Sequence, residues 1–257
     1  MPDGLYRGDG LSLAEREEFE EDLVAFCDRA LDLLGDVSGL DVLYAGGAAP
    51  LWLEGLAERI GAGGSLTALE AAGEKAARSR RWLEDAELPC SASVVSGDVL
   101  SPPFAAASFD LAYSAGLLHE LDTSRGSAGA AIRALAATLR PGGRLATDDF
   151  VDSAPAVQLE DEALEAALRE ALRGERPYGI GAPERLVTLH EEVLESVVRR
   201  ELPPFELRHL DRLFLAAEEP EGVGGELRGR WLSLRERVRR EGYTRPATLY
   251  VEGRRPD

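Results

Sequence analysis

Five polar residues stand where the ends of apolar runs would gather them: Glu70, Asp98, His119, Asp148 and Asp149. Carboxylates accept hydrogen bonds from hydroxyl and amino groups, and a histidine can move a proton near neutral pH. Each also has a plainer reading, as a solvated strand-end acid, a Gly-Asp turn or a histidine satisfied within its own fold. No nucleophile or metal-ligand cluster accompanies them. The two cysteines, Cys27 and Cys90, are far apart without ligand spacing and read as buried small hydrophobes. The context for the five comes from DVLYAGGAAPLW, Asp41 to Trp52. There a short apolar run enters the pair Gly46–Gly47, and a helical pattern starts after Pro50. A strand, a small-residue turn and a helix start form the arrangement with which nucleotide-binding α/β folds receive a cofactor.

The elements that must hold these residues alternate along the chain. Strands are predicted at Asp41 to Ala45, Ser65 to Leu69, Ala92 to Val95, Phe109 to Ser114 and Arg144 to Phe150. Helices are predicted at Pro50 to Ile60, Gly73 to Ala86 and Ala128 to Leu139. This alternation implies βαβ units, a parallel sheet covered on both faces and turns collected along one edge. Before it, Leu11 to Leu34 has helical spacing with Ser12 and Glu15 as a capping box, and Gly35 ends that helix. Residues 1 to 10 read as a mobile arm. After Phe150 the expectation is an acidic helix (Pro155 to Leu172), a glycine- and proline-rich loop (Arg173 to Pro183), a helix carrying His190 (Glu184 to Arg200), an extended segment (Phe205 to Leu215), a helix (Glu226 to Glu241) and a last strand (Ala247 to Val251).

Composition narrows the classes. A net charge of −18 opposes a nucleic-acid partner, because a polyanion would be repelled. The arginines at 78, 80, 81 and 235 to 240 lie in helical patterns flanked by acids and read as solvated faces. No apolar run reaches membrane-spanning length and the N-terminus lacks signal-peptide character, so a cytoplasmic location without a membrane partner is expected.

Four segments, DVLYAGGAAPLW, SLTALE, SGDVLSPPFAAASFDLAYSAGLLHEL and LRPGGRLATDDF, occur in an order that resembles the class I S-adenosylmethionine-dependent methyltransferases, nearest the small-molecule and quinone-biosynthesis type. The resemblance covers roughly residues 40 to 151. It implies a Rossmann-like α/β fold with a mostly parallel seven-stranded sheet, helices on both faces and a helical insertion before the last two strands. It also implies S-adenosylmethionine as cofactor, S-adenosylhomocysteine as product and a small-molecule methyl acceptor as partner; a homodimer is compatible with it. The implied cofactor residues are Tyr44, Ala45, Gly46 and Gly47 at the turn, Glu70 for the ribose hydroxyls, Asp98 with the Val99 backbone for adenine, and Ser114 beneath the cofactor. His119 falls where the family faces the acceptor, as a substrate contact or base; Asp148 and Asp149 leave their strand toward the same edge, one of them, taken as Asp149, as a substrate contact or base and the other at the surface. In-line displacement at a sulfonium needs alignment and desolvation more than side-chain chemistry, and a base only where the acceptor must lose a proton.

The first glycine motif departs from the family pattern. Tyr44 stands at the usual acid, Ala48 at the second glycine and Pro50 at the third. Tyrosine removes a negative charge that would help hold the cofactor's ammonium, and alanine adds a methyl at a point of close approach. The alternative function is therefore a methyltransferase-fold protein that no longer methylates, serving as another catalyst or as a binding subunit. A nicotinamide-binding Rossmann protein would also use Glu70, but the later segments fit that pattern poorly. The expected division is 1–35 as arm and helix, 36–151 as cofactor-binding core, 152–204 as helical insertion or lid, and 205–257 as the completion of the sheet.

Overall fold

The computed structural model of the chain describes residues 10–153 and 155–257. All but the last residue of the expected N-terminal arm lies outside the described residues. Seven strands form one sheet: β1 (Asp41–Ala45), β2 (Ser65–Glu70), β3 (Ser91–Ser96), β4 (Phe109–Ala115), β5 (Leu139–Phe150), β6 (Glu195–Leu202) and β7 (Thr248–Arg254). Their order is β3-β2-β1-β4-β5-β7-β6, with β7 antiparallel to both neighbours and the other pairings parallel. The chain winds outward from β1 to β3, then returns to place β4 on the other side of β1. Strand order thus reverses between β1 and β4, which opens a crevice at their carboxyl ends.

Alternation along the strands divides the core. Val42 and Tyr44 of β1 pack with α2 (Pro50–Ile60) on one face, whereas Leu43 and Ala45 pack with α4 (Ala128–Thr138) on the other. The central position of β1 explains why its last four residues are all buried. On the α2 side lie also α1 (Leu13–Leu31), begun by the reciprocal Ser12–Glu15 cap, and α3 (Gly73–Asp85). A third apolar cluster joins Phe19 and Leu23 of α1 to α5 (Ala156–Arg173), α7 (Leu210–Ala216) and α8 (Gly225–Glu241). Through it α1 and α5 are held together above the strand ends.

Two expectations after Phe150 are corrected. The helix carrying His190 is α6 (Pro183–Glu191), which ends well before Arg200. Residues 195–202 instead pair with β7 as the outer strand, with Ser196 at φ 54 where the register shifts. The run Val193–Val197–Val198 has the β-branched character that a strand accepts, and the backbone hydrogen bonds offered by β7 decide the outcome. The helical insertion therefore ends at Glu191, and the segment 152–204 contributes a strand to the sheet. The second correction is at Phe205 to Leu215, where α7 forms in place of an extended segment. Its buried Leu210, Leu213 and Phe214 follow the i, i+3, i+4 spacing of a helix face. Within 205–257 only β7 is a full strand.

Candidate active site

At the carboxyl ends of β1, β4 and β5 lies a cavity of about 650 Å³, within the size range of small-molecule sites, roughly 300–1,000 Å³. One wall is the turn Gly46–Pro50 with Tyr44 beneath it and Glu70 at the end of β2. The opposite wall comes from Leu23 and Phe26 of α1 and from Glu162, Glu165 and Arg169 of α5. His119, Asp148, Phe150 and Arg245 lie between.

The turn keeps the geometry a close backbone approach requires. Gly46 sits at φ +93, where a side chain is strained, and a Cβ there would come within 2.6 Å of Leu117 Cδ1. Its amide donates to Leu69 O at 3.0 Å, tying the turn to β2. The Ser79 hydroxyl donates to Ala48 O at 2.7 Å, tying it to α3. Helix α2 begins with Pro50 at its first turn and no side-chain cap, so its N-terminal dipole is directed at the cavity wall without an internal acceptor.

Tyr44 fills the base of this turn. Its ring lies 5.9 Å from both the Trp52 and the Tyr113 ring centroids, at interplanar angles of 21° and 27°. Burial, with smaller contributions from Cys27, Glu70 and Asp148, raises its phenol far above the ordinary range, so the position carries no charge. Glu70 lines the cavity and accepts the Ala72 amide at 2.8 Å through Oε1.

His119 and Asp149 form a buried pair, with Nδ1 2.7 Å from Oδ1. Asp149 also accepts the Leu118 amide at 2.6 Å through Oδ2 and the Phe150 amide at 2.8 Å through Oδ1. Burial alone would lower the imidazole pKa. The Asp149 carboxylate, aided by Glu162 and Glu120, outweighs burial and raises it to about 9. At neutral pH the ring is therefore a cation whose Nε2–H is a donor; Glu120 and Glu162 lie 3.8 and 4.0 Å from that nitrogen. Burial raises the Glu162 carboxyl, and His119 partly offsets it.

The structure brings Tyr44, Gly46, Gly47, Glu70 and His119 of the predicted set to the cavity wall. Ala45 and Val99 are buried in the core on the sheet face away from Tyr44, and Ser114 is buried without lining the cavity. Asp98 ion-pairs with Arg125 and accepts the Leu100 amide at 3.0 Å, also away from the cavity lining. Asp149 lies behind His119 and not on the main wall. Neither aspartate of the pair is at the surface: both are buried, and it is Asp148, 4% exposed, that lines the cavity. Sequence reasoning also missed Glu162, Glu165 and Arg169, which recur on one face of the acidic helix. Lys75 and Arg78 line the cavity too, so the face of α3 read as solvated is partly a wall. His190 is buried and neutral. Its Nε2 lies 3.0 Å from the Thr147 hydroxyl and its Nδ1 2.8 Å from Leu186 O.

Strand order, switch-point cavity and glycine turn are those of the class I methyltransferase fold, the class whose cofactor is S-adenosylmethionine. Residues 42–143 match the sequence model of a family described as a methyltransferase domain. A geranyl diphosphate methyltransferase solved with S-adenosylmethionine superposes with a TM-score of 0.60 at 14% identity, covering 99% of this chain and 95% of the other. A S-adenosylmethionine-dependent methyltransferase from Aquifex aeolicus gives 0.52 at 14% identity over 89% of this chain and 88% of the other. The cyclase SpnF gives 0.58 at 18% identity over 89% and 81%. At these identities the likeness concerns the fold. No curated protein matches the chain at a significant level.

Proposed function

We propose that this protein transfers the methyl group of S-adenosylmethionine to a small-molecule acceptor. The observation that carries this reading is the single cavity of about 650 Å³ joining the Gly46–Pro50 turn to His119 and Glu162. One end has what a nucleoside-linked amino acid needs: a left-handed glycine, an uncapped helix start and the Glu70 carboxylate for a diol. The other end has a buried donor and the half-buried Glu162 carboxyl for an acceptor. The residues thus fit the cofactor, except that Tyr44 offers its ammonium no charge and Asp98 is engaged by Arg125.

Bound S-adenosylmethionine supplies an electrophilic methyl on sulfur. The chain aligns and desolvates. Leu23 and Phe26 of α1 and Ala166 of α5 exclude water from the cavity roof, so that the reacting groups meet in a medium of low polarity. His119, held by Asp149, donates through Nε2–H to an acceptor oxygen and fixes its direction; protonated below about pH 9, it acts as a substrate contact and not as the base. Where the acceptor must lose a proton, Glu162 is the carboxylate placed to take it.

Calorimetric titration with S-adenosylmethionine and S-adenosylhomocysteine tests the reading. The expected result is saturable binding of both, with a rise in Tm. No heat and no thermal shift with either compound would overturn it.

A further inference from the structure

The feature the proposed reaction leaves unused is Asp148. The register pairs Tyr44 with Tyr113 and Asp148 with Ala115, so Gly46, Ala115 and Asp148 form one row across the ends of β1, β4 and β5. With neighbouring strands roughly 4.8 Å apart, Asp148 stands about 10 Å from the turn in that row. Its side chain shares a face with Tyr44 and Tyr113, because Ala146, two residues before it, packs in their cluster. It is 4% exposed, it lines the cavity, and its Oδ1 has no hydrogen-bond partner among the described residues.

A buried carboxylate oxygen without a donor is costly unless a ligand completes it. The groups that act on it are the Thr248 hydroxyl, the neighbouring Asp149, and the guanidinium groups of Arg29 and Arg245. None makes a hydrogen bond to Oδ1. The strand that in the resembling family ends in an acid ends here in a tyrosine whose ring fills its own space. The acid on this face has moved two strands across, to the other side of the crevice.

We propose that Asp148 is the counter-ion for the aliphatic ammonium of the bound S-adenosyl amino acid, replacing the charge that Tyr44 lacks. This rests on the reading above that such a ligand occupies the cavity. The ammonium donates to Asp148, the amino-acid carboxylate lies toward the start of α2, and the ligand spans the row from β5 to β1.

The test is calorimetry on the full chain with S-adenosylhomocysteine and with its deamino analogue, in which hydrogen replaces the ammonium. In the unmodified protein, S-adenosylhomocysteine should bind about tenfold tighter or more, the scale of a buried charge-assisted hydrogen bond. Asp148→Asn, and Asp148→Ser as a second variant, should abolish that preference and leave affinity for the deamino analogue unchanged. Retention of the full preference in both variants overturns the proposal. So does an equal loss for both ligands, which would mark Asp148 as a structural prop. An unmodified protein that binds neither compound overturns the functional reading as well, whereas the first two outcomes leave that reading standing.

Discussion

Asp148 and Asp149 are adjacent on β5 and serve opposite faces of the sheet. Asp148 opens into the large cavity beside Tyr44's cluster, whereas Asp149 turns to the other face and holds His119 Nδ1 at 2.7 Å. A period of two is the whole cause. The ion pair fixes a pH dependence. A pKa of about 9, above the ordinary 6.5, means that the folded protein binds the His119 proton more tightly than the unfolded chain does. Its stabilising contribution is therefore complete below pH 6.5 and is lost as pH rises through about 9. Asp149→Asn should bring the His119 pKa well down from about 9, since burial is then opposed only by the smaller contributions of Glu162 and Glu120. Histidine NMR titration measures this directly, and a pKa still near 9 in the variant would refute the pairing.

His190 should show the reverse sign. Burial lowers it to about 4, so its contribution is present above pH 6.5 and is lost as pH falls toward 4. In the same NMR titration its ring should stay neutral down to about pH 5, with one tautomer set by the bond to Leu186 O. A His190 that titrates near 6.5 would contradict its placement beneath β5.

Tyr44 is a structural residue whatever the cavity binds. Tyr44→Ala removes a ring packed against both Trp52 and Tyr113 and should cost about 3–5 kcal/mol, the range for deleting a buried aromatic side chain. Urea denaturation reads this as a lower midpoint at nearly constant slope. A loss below about 1 kcal/mol would mean that the ring does not fill the base of the turn.

Gly46→Ala combines a left-handed backbone with a Cβ 2.6 Å from Leu117. It should destabilise by about 1–3 kcal/mol and weaken S-adenosylhomocysteine binding, because either Leu117 or the turn must move. Gly73→Ala, at a helix start with open space around it, is the control and should change neither property. Equal behaviour of the two variants would show that the turn tolerates a side chain.

The residues by themselves determined the core. Apolar runs of strand length alternating with helical patterns, and punctuated by Gly46, Gly61, Gly97 and the Pro141–Gly143 turn, are local signals, and β1 to β5 with α1 to α5 follow from them to within a few residues except where Leu139 extends β5 backwards. The same locality made Tyr44, Gly46, Gly47 and Glu70 visible, since a strand end and the turn after it occupy the same sheet edge. Tertiary structure decided the rest. Residues 195–202 became a strand only because β7 presents a ladder to them, and helical spacing cannot register a partner fifty residues away. Asp98 left the cavity because Arg125, 27 residues on, meets it there. Glu162 reached His119 because one apolar cluster packs α5 against α1, α7 and α8 above the strand ends. Which of Asp148 and Asp149 faces the cavity depends on the register of β5 against β4, and that register is set by strand pairing.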